Sequence, residues 1–223
     1  MPVVIAVAVP HPPLIVPGVG HGREREIQPT VDAYRAERQM PVEESANAIL
    51  MAAAAGYADG DWRIAKDNLD LLQLWCSYLL THGEDPGNQM CTDDFAGHLA
   101  RNVNLSAKAV MGIAAFGMIL DALGRGAEAK IYRDEAKRRA NSWLERAAVG
   151  DHTALTFDGQ GWSLKYNLVW DKLFGLDLLP DSFYSQETKS YLARSNTYGI
   201  PLDSRSVLTK SDWLLWCAAM ADA

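Results

Sequence analysis

The chain has 223 residues, of which 48% are hydrophobic, 22% charged and 9% aromatic. That is enough apolar material for a sizeable core, and it excludes a mainly disordered polymer. A formal net charge of −7 makes a phosphate backbone or an anionic membrane surface an unfavourable partner, so neither nucleic acid nor membrane is expected.

The first 38 residues differ from the rest. "PVVIAVAV" is β-branched and apolar and fits a buried strand. A loop rich in proline and glycine, "HPPLIVPGVGHG", follows, and then "REREIQPTVDAYRAE", a helical pattern that Pro29 ends or kinks early. This is a β-loop-α leader, residues 1–39, set against a helical domain, residues 40–223. No run of eighteen apolar residues occurs, so no transmembrane helix is expected. The N-terminus lacks a basic region and a small-residue cleavage site, which makes it a strand rather than a signal peptide and the chain, as written, cytoplasmic.

From Met40 onward the pattern is helical, and it alternates in kind. Segment 43–58 is apolar on nearly every side. Segment 61–82 is one-sided, with Ile64, Leu71, Leu72, Trp75 and Leu79 along its stripe. Segment 105–124 is again apolar all round, and 126–148 again one-sided on Tyr132, Ala136, Ala140, Trp143 and Ala147. The mixed charges of 130–146 read as a solvated face. The series continues with 165–176 (apolar), 182–195 (one-sided) and 211–222 (apolar). A helix apolar on all faces is buried on all faces, whereas a one-sided helix covers something. The alternation predicts an all-α fold, a partial (α/α) six-hairpin barrel of about seven helices in inner and outer layers. An irregular bundle or α-solenoid is the alternative.

In such a barrel the segments that precede inner helices converge on one mouth. They read "MPVEES", "CTDDFAGHLARNVN", "DGQGWSLKYN" and "YGIPLDSRSVLTKSDW", and every polar constellation in the chain lies in them. Helix capping accounts for Ser45, Asn104 and Asp212. It does not require Glu43 beside Glu44, or Asp93 beside Asp94. A cleft is therefore expected, with Glu43, Glu44, Asp93 and Asp94 as candidate acids, bases or nucleophiles. His98, Arg101, Asn102, Lys165, Tyr166, Trp170, Asp203, Asp212 and Trp213 are the candidate substrate-binding residues. The three cysteines, Cys76, Cys91 and Cys217, lack CxxC spacing and give neither a disulfide framework nor a zinc site. Cys91 as a nucleophile has no spacing to His98 that fixes a base. No metal and no cofactor is expected.

The segments "PVEESANAIL", "NQMCTDDFAGHLARNVNLSAKAVMGIAAFG", "GWSLKYNLVWDKLFGL" and "YGIPLDSRSVLTKSDWLLW" resemble the catalytic domain of the glutaminase A family, in order, from about Met40 to the C-terminus. The resemblance implies the architecture of six-hairpin glycosidases and hydrolysis of glutamine to glutamate and ammonia. Glycoside hydrolysis is the runner-up, and an inactive truncated or fused fragment the third reading. It also implies a small-molecule substrate, glutamine or a sugar, and members of the family are often secreted or periplasmic. Residues 1–38 resemble instead the start of class III extradiol dioxygenase-like proteins, in which a histidine at the position of His11 helps bind iron. The remaining ligands of a 2-His-1-carboxylate site are missing here, so the segment reads as an unrelated leader, from a gene fusion or an assembly artefact. Family members carry a β-rich domain and further hairpins before "PVEE". An open barrel edge is therefore expected around Ile49, Ala53, Trp216 and Met220, with self-association through it and weak or no activity.

Overall fold

The computed structural model describes residues 39–91 and 97–221. The leader's strand, loop and helix, His11, and the acid pair Asp93–Asp94 lie outside the described residues. Eight α-helices are present among the described residues: α1 (Pro41–Asp59), α2 (Arg63–Asp67), α3 (Leu69–His82), α4 (Val103–Ala122), α5 (Gly126–Ala147), α6 (Val169–Phe174), α7 (Asp181–Leu192) and α8 (Ser211–Ala218). A hairpin of two short strands, β1 (Ala148–Val149) and β2 (His152–Thr153), and a 3-10 turn (Tyr166–Leu168) separate α5 from α6.

Helix α1 has proline in its first turn, where no N–H is missed, and stops at Gly60, whose φ of 69° suits a residue without Cβ. Helix α4 is the centre of the fold. Seventeen of its twenty residues are buried, and it packs on α1, α3, α5 and the 3-10 turn. By length and mean hydropathy (1.7) it could cross a membrane, but 94% of that window lies inside the protein, so it is a core helix. Its contact with α1 is close because residue 112 is glycine. A Cβ there would stand 3.2 Å from the Ala46 backbone. The outer helix α5 buries Ala129, Ala136, Ala140, Trp143 and Ala147 and leaves its charged face in water. The indole of Trp143 donates to the Val103 carbonyl at 2.8 Å and ties α5 to the start of α4.

Several expectations need correction. Segment 61–82 is two helices, because Asn68 turns its side chain back onto the Ile64 carbonyl (2.9 Å) and breaks the run. Its buried stripe is Ala65, Leu72, Trp75, Cys76 and Leu79, while Ile64 is 61% exposed and Leu71 is also in water. Helix α8 is apolar in sequence yet buries only Cys217, since it packs mainly on the 3-10 turn. The apolar exposure expected around Ile49, Ala53, Trp216 and Met220 is not found. Ile49, Ala53 and Met220 are buried and Trp216 half-buried, whereas Met51, Tyr57 and Leu215 are exposed.

The loop from α6 to α7 is organised by one acid. Buried Asp171 accepts from the main-chain N–H groups of Leu178 (3.0 Å) and Leu179 (3.1 Å) and from the Tyr184 hydroxyl (2.6 Å). Hydrogen bonds to a charged group contribute about 1.5–3 kcal/mol each. Asp171→Asn keeps the shape but loses the charge and one acceptor. It should destabilise the domain by about 2 kcal/mol in urea denaturation, and a change near zero would show that the loop holds itself.

Candidate functional site

The four helix starts do meet at one end, and hydrogen bonds stitch them together. The Val42 N–H donates to Gln89 Oε1 (3.1 Å), the Val103 N–H to the Leu155 carbonyl (3.0 Å), and Asn167 Nδ2 to the Asn104 carbonyl (3.0 Å). Further along, the Leu164 N–H donates to the Leu202 carbonyl at 2.8 Å, and Ser163 pairs with Asp203 as an isolated bridge. Tyr166 of the 3-10 turn stacks on Trp213 of α8, with ring centroids 4.3 Å apart and planes at 11°.

At the junction of α1 and α4 lies a buried ion pair. Lys108 Nζ bonds to Glu43 Oε1 and donates to Asn47 Oδ1 at 2.9 Å, and Asn47 Nδ2 donates to Glu43 at 3.2 Å. Lys108 is absent from the residues singled out in the sequence, yet a signal existed. A lone lysine in a helix apolar on every face cannot reach water and must meet a counter-charge inside. Glu44, next on α1, is only half-buried. Burial raises its carboxyl above the ordinary value of 4.5; the neighbouring Glu43 charge adds to the rise, and Lys108 opposes it. Two adjacent carboxyls thus occupy different environments, one ion-paired in the interior and one facing out with a raised pKa.

A second buried cluster surrounds Lys165. This side chain is fully buried and donates to the Ser163 carbonyl (2.8 Å), Ser163 Oγ (2.9 Å) and, more weakly, the Thr153 carbonyl (3.4 Å). Its own N–H donates to the Tyr191 hydroxyl at 2.9 Å. Glu187 accepts from Thr153 through both N–H (3.0 Å) and hydroxyl (2.5 Å). Burial pulls the Lys165 ammonium down to about 8, against the attraction of Glu187, Cys217 and Asp203. A depressed lysine weakens the fold below its folded pKa, and that weakness is relieved as pH rises towards the unfolded value near 10.4. Wild type should therefore gain stability relative to Lys165→Met between pH 8 and 10, as read from paired melting curves. A constant difference would mean that the ammonium stays charged throughout.

His98 is exposed, and Arg101, exposed and at φ 60°, pairs with Asp85 at 3.3 Å. The Asn102 side chain caps α4, accepting from the N–H groups of Asn104 (2.9 Å) and Leu105 (3.1 Å). Asp203 is held by the Arg205 guanidinium (2.7 Å) and N–H (2.8 Å), and Asp212 stands exposed in the first turn of α8. Trp170 packs on Phe174 and Trp216, and Trp213 on Tyr166 and Trp216, so these indoles face other aromatic rings. The thiols of Cys76 and Cys217 are pushed up to about 12 by burial, which removes them as nucleophiles near neutral pH. Among the described residues no group of three or more His, Cys, Asp or Glu side chains could hold a metal ion. A cavity of about 390 Å³ lies between α7 and α8, lined by Thr188, Tyr191, Ile200, Leu214 and Cys217, and it contains none of the candidate acids.

A buried central helix, a one-sided outer helix packed on it, and polar helix starts gathered at one end define a helical-hairpin domain. The sequence matches the family described as the glutaminase A six helical-hairpin domain over residues 28–223, and the chain belongs to that family. The match begins within residues 1–39, the segment expected to be an unrelated leader. Glutaminase A of Aspergillus oryzae is 35% identical over 190 residues, which cover 83% of this chain and 28% of that protein. A probable glutaminase of Arthroderma benhamiae is 30% identical over 181 residues, covering 68% of this chain and 21% of that protein. The chain therefore spans less than a third of the length of these relatives. No solved structure gives a significant match.

Proposed function

We propose that this domain hydrolyses the side-chain amide of glutamine to glutamate and ammonia, with Glu44 as the proton-transfer group. The observation that carries the reading is the half-buried Glu44 carboxyl, raised by burial beside the Glu43–Lys108 pair at the convergence of the helix starts. A carboxyl whose pKa is brought towards the working pH can both take and return a proton. Water adds its oxygen to the amide carbon while its proton passes to the Glu44 carboxylate. Glu44 then gives that proton to the nitrogen as the C–N bond breaks, which releases ammonia. Glu43, Lys108 and Asn47 act as positioning residues that pin the start of α1 to α4. The names of the two fungal relatives support the choice of glutamine as substrate. A sugar substrate is disfavoured because Trp170 and Trp213 are engaged by other aromatic rings, Trp213 stacked on Tyr166 and both set edge-to-face with Trp216. Ammonia release from L-glutamine by the purified chain, run beside a panel of p-nitrophenyl glycosides, tests the reading. Cleavage of a glycoside without ammonia release would replace it, and inertness towards both would reject it for this chain.

A further inference from the structure

Two buried side-chain oxygens where the helix starts meet, Asn104 Oδ1 and Asn167 Oδ1, have no hydrogen-bond partner among the described residues. Asn104 is 4% exposed and Asn167 1%. They belong to different elements, the first turn of α4 and the 3-10 turn. They are nonetheless in contact, since Asn167 Nδ2 donates to the Asn104 main-chain carbonyl at 3.0 Å. Leaving a buried acceptor unmade costs more than a made hydrogen bond contributes, and folded proteins satisfy nearly all of them. Two such acceptors on touching residues thus point to a missing donor.

Their place in the fold says what the donor belongs to. Asn104 and Lys108 are four apart on α4, so their side chains share one face. Lys108 in turn reaches Glu43 and Asn47. A polar stripe on an otherwise apolar helix therefore runs from the asparagine pair to the acids of α1. The indole N–H of Trp213, a buried donor also without an acceptor among the described residues, sits on the ring stacked against Tyr166, the residue before Asn167.

We propose that Asn104 and Asn167 are substrate-binding residues, an acceptor pair that takes an N–H donor group of the ligand, an ammonium or a primary carboxamide. The identification of that ligand with glutamine rests on the amide-hydrolase reading; the subsite itself does not. Carbonyl acceptors select N–H groups and repel carboxylates, so the pair distinguishes the amide or amine end of such a molecule from its acid end.

The test uses Asn104→Leu and Asn104→Asp, both of which leave the backbone carbonyl that accepts from Asn167. Three quantities are measured: the kcat and KM for L-glutamine, and the melting-temperature shift given by methylammonium chloride (against sodium chloride at equal ionic strength) and by acetamide. In wild type one of the two probes raises the melting temperature, and which one does identifies the group bound. Asn104→Leu should abolish that shift and raise KM about tenfold, the loss of one hydrogen bond, more than it lowers kcat. Asn104→Asp should strengthen the response to methylammonium or weaken that to acetamide. An unchanged KM and probe response in Asn104→Leu with a lowered melting temperature would overturn the proposal, leaving a packing role. Where glutamine is not turned over at all, a probe shift lost in Asn104→Leu upholds the subsite while the hydrolase reading falls. No shift from either probe in wild type overturns the subsite alone.

Discussion

Replacing Lys108 with methionine is expected to destabilise the domain by about 3–5 kcal/mol, because it leaves Glu43 buried without its cation. The geometry makes this a severe test. Both side chains are almost wholly buried, at 4% and 2% exposure, so water cannot stand in for the missing ammonium. A typical domain is stable by only about 5–15 kcal/mol, which places the variant near the edge of folding. The pair itself need not be favourable, since desolvating two charges offsets much of their attraction. The double variant Glu43→Leu/Lys108→Met, with no buried charge to neutralise, should therefore recover most of the loss. A chemical-denaturation cycle over the four proteins measures this directly. A Lys108→Met variant within about 1 kcal/mol of wild type would mean that the pair behaves like an exposed one and does not pin α1 to α4.

What could be read from the sequence, and what could not, divides along a physical line. Helix α4 was legible because its apolar residues cover every face over twenty residues, and α1, α3, α5 and the 3-10 turn pack around it to bury them. Helix α5 was legible because its alanine and tryptophan stripe is separated from charge by helical periodicity. Helix α8 looked the same as α4 in sequence but is mostly exposed, since burial also depends on which elements lie alongside, and composition does not encode that. The convergence of the helix starts followed from alternation of helix direction alone. The use of each polar group did not follow, because it depends on tertiary contacts. Asn102 caps its own helix, Asp203 turns to Arg205, and Asp171, within "KYNLVWDKLFGL", organises a loop. Adjacent Glu43 and Glu44 point to different sides of α1, and only the packing of α4 decides which becomes the interior ion-pair partner and which faces out.

Glu44→Gln is expected to lower glutamine turnover by roughly 10²–10⁴-fold, the usual contribution of a positioned general acid–base, while the fold persists. Glutamine keeps the volume and the hydrogen-bonding edge of the side chain but carries no proton to exchange. The pH profile gives a sharper reading than the rate alone. As a base, Glu44 must be ionised to accept the proton of water, so activity should fall on the acidic side with a midpoint above the ordinary glutamate value of 4.5. The causes of the raised pKa can be separated by substitution. Removing the Glu43 charge with Glu43→Gln takes away a force that raises Glu44, and the acidic limb should move to lower pH. Removing Lys108 takes away the force that lowers it, and the limb should move up in whatever fraction of that variant folds. Stability carries the same signature. A carboxyl whose folded pKa exceeds its unfolded one stabilises the native state fully below the unfolded value, and that stabilisation is lost as pH rises through the folded pKa. Wild type should therefore lose stability relative to Glu44→Gln between pH 4 and the Glu44 midpoint, in the window where its activity rises. Full turnover in Glu44→Gln, or an acidic limb that stays fixed when Glu43 is neutralised, would remove Glu44 from the chemistry and leave it a solvated helix residue.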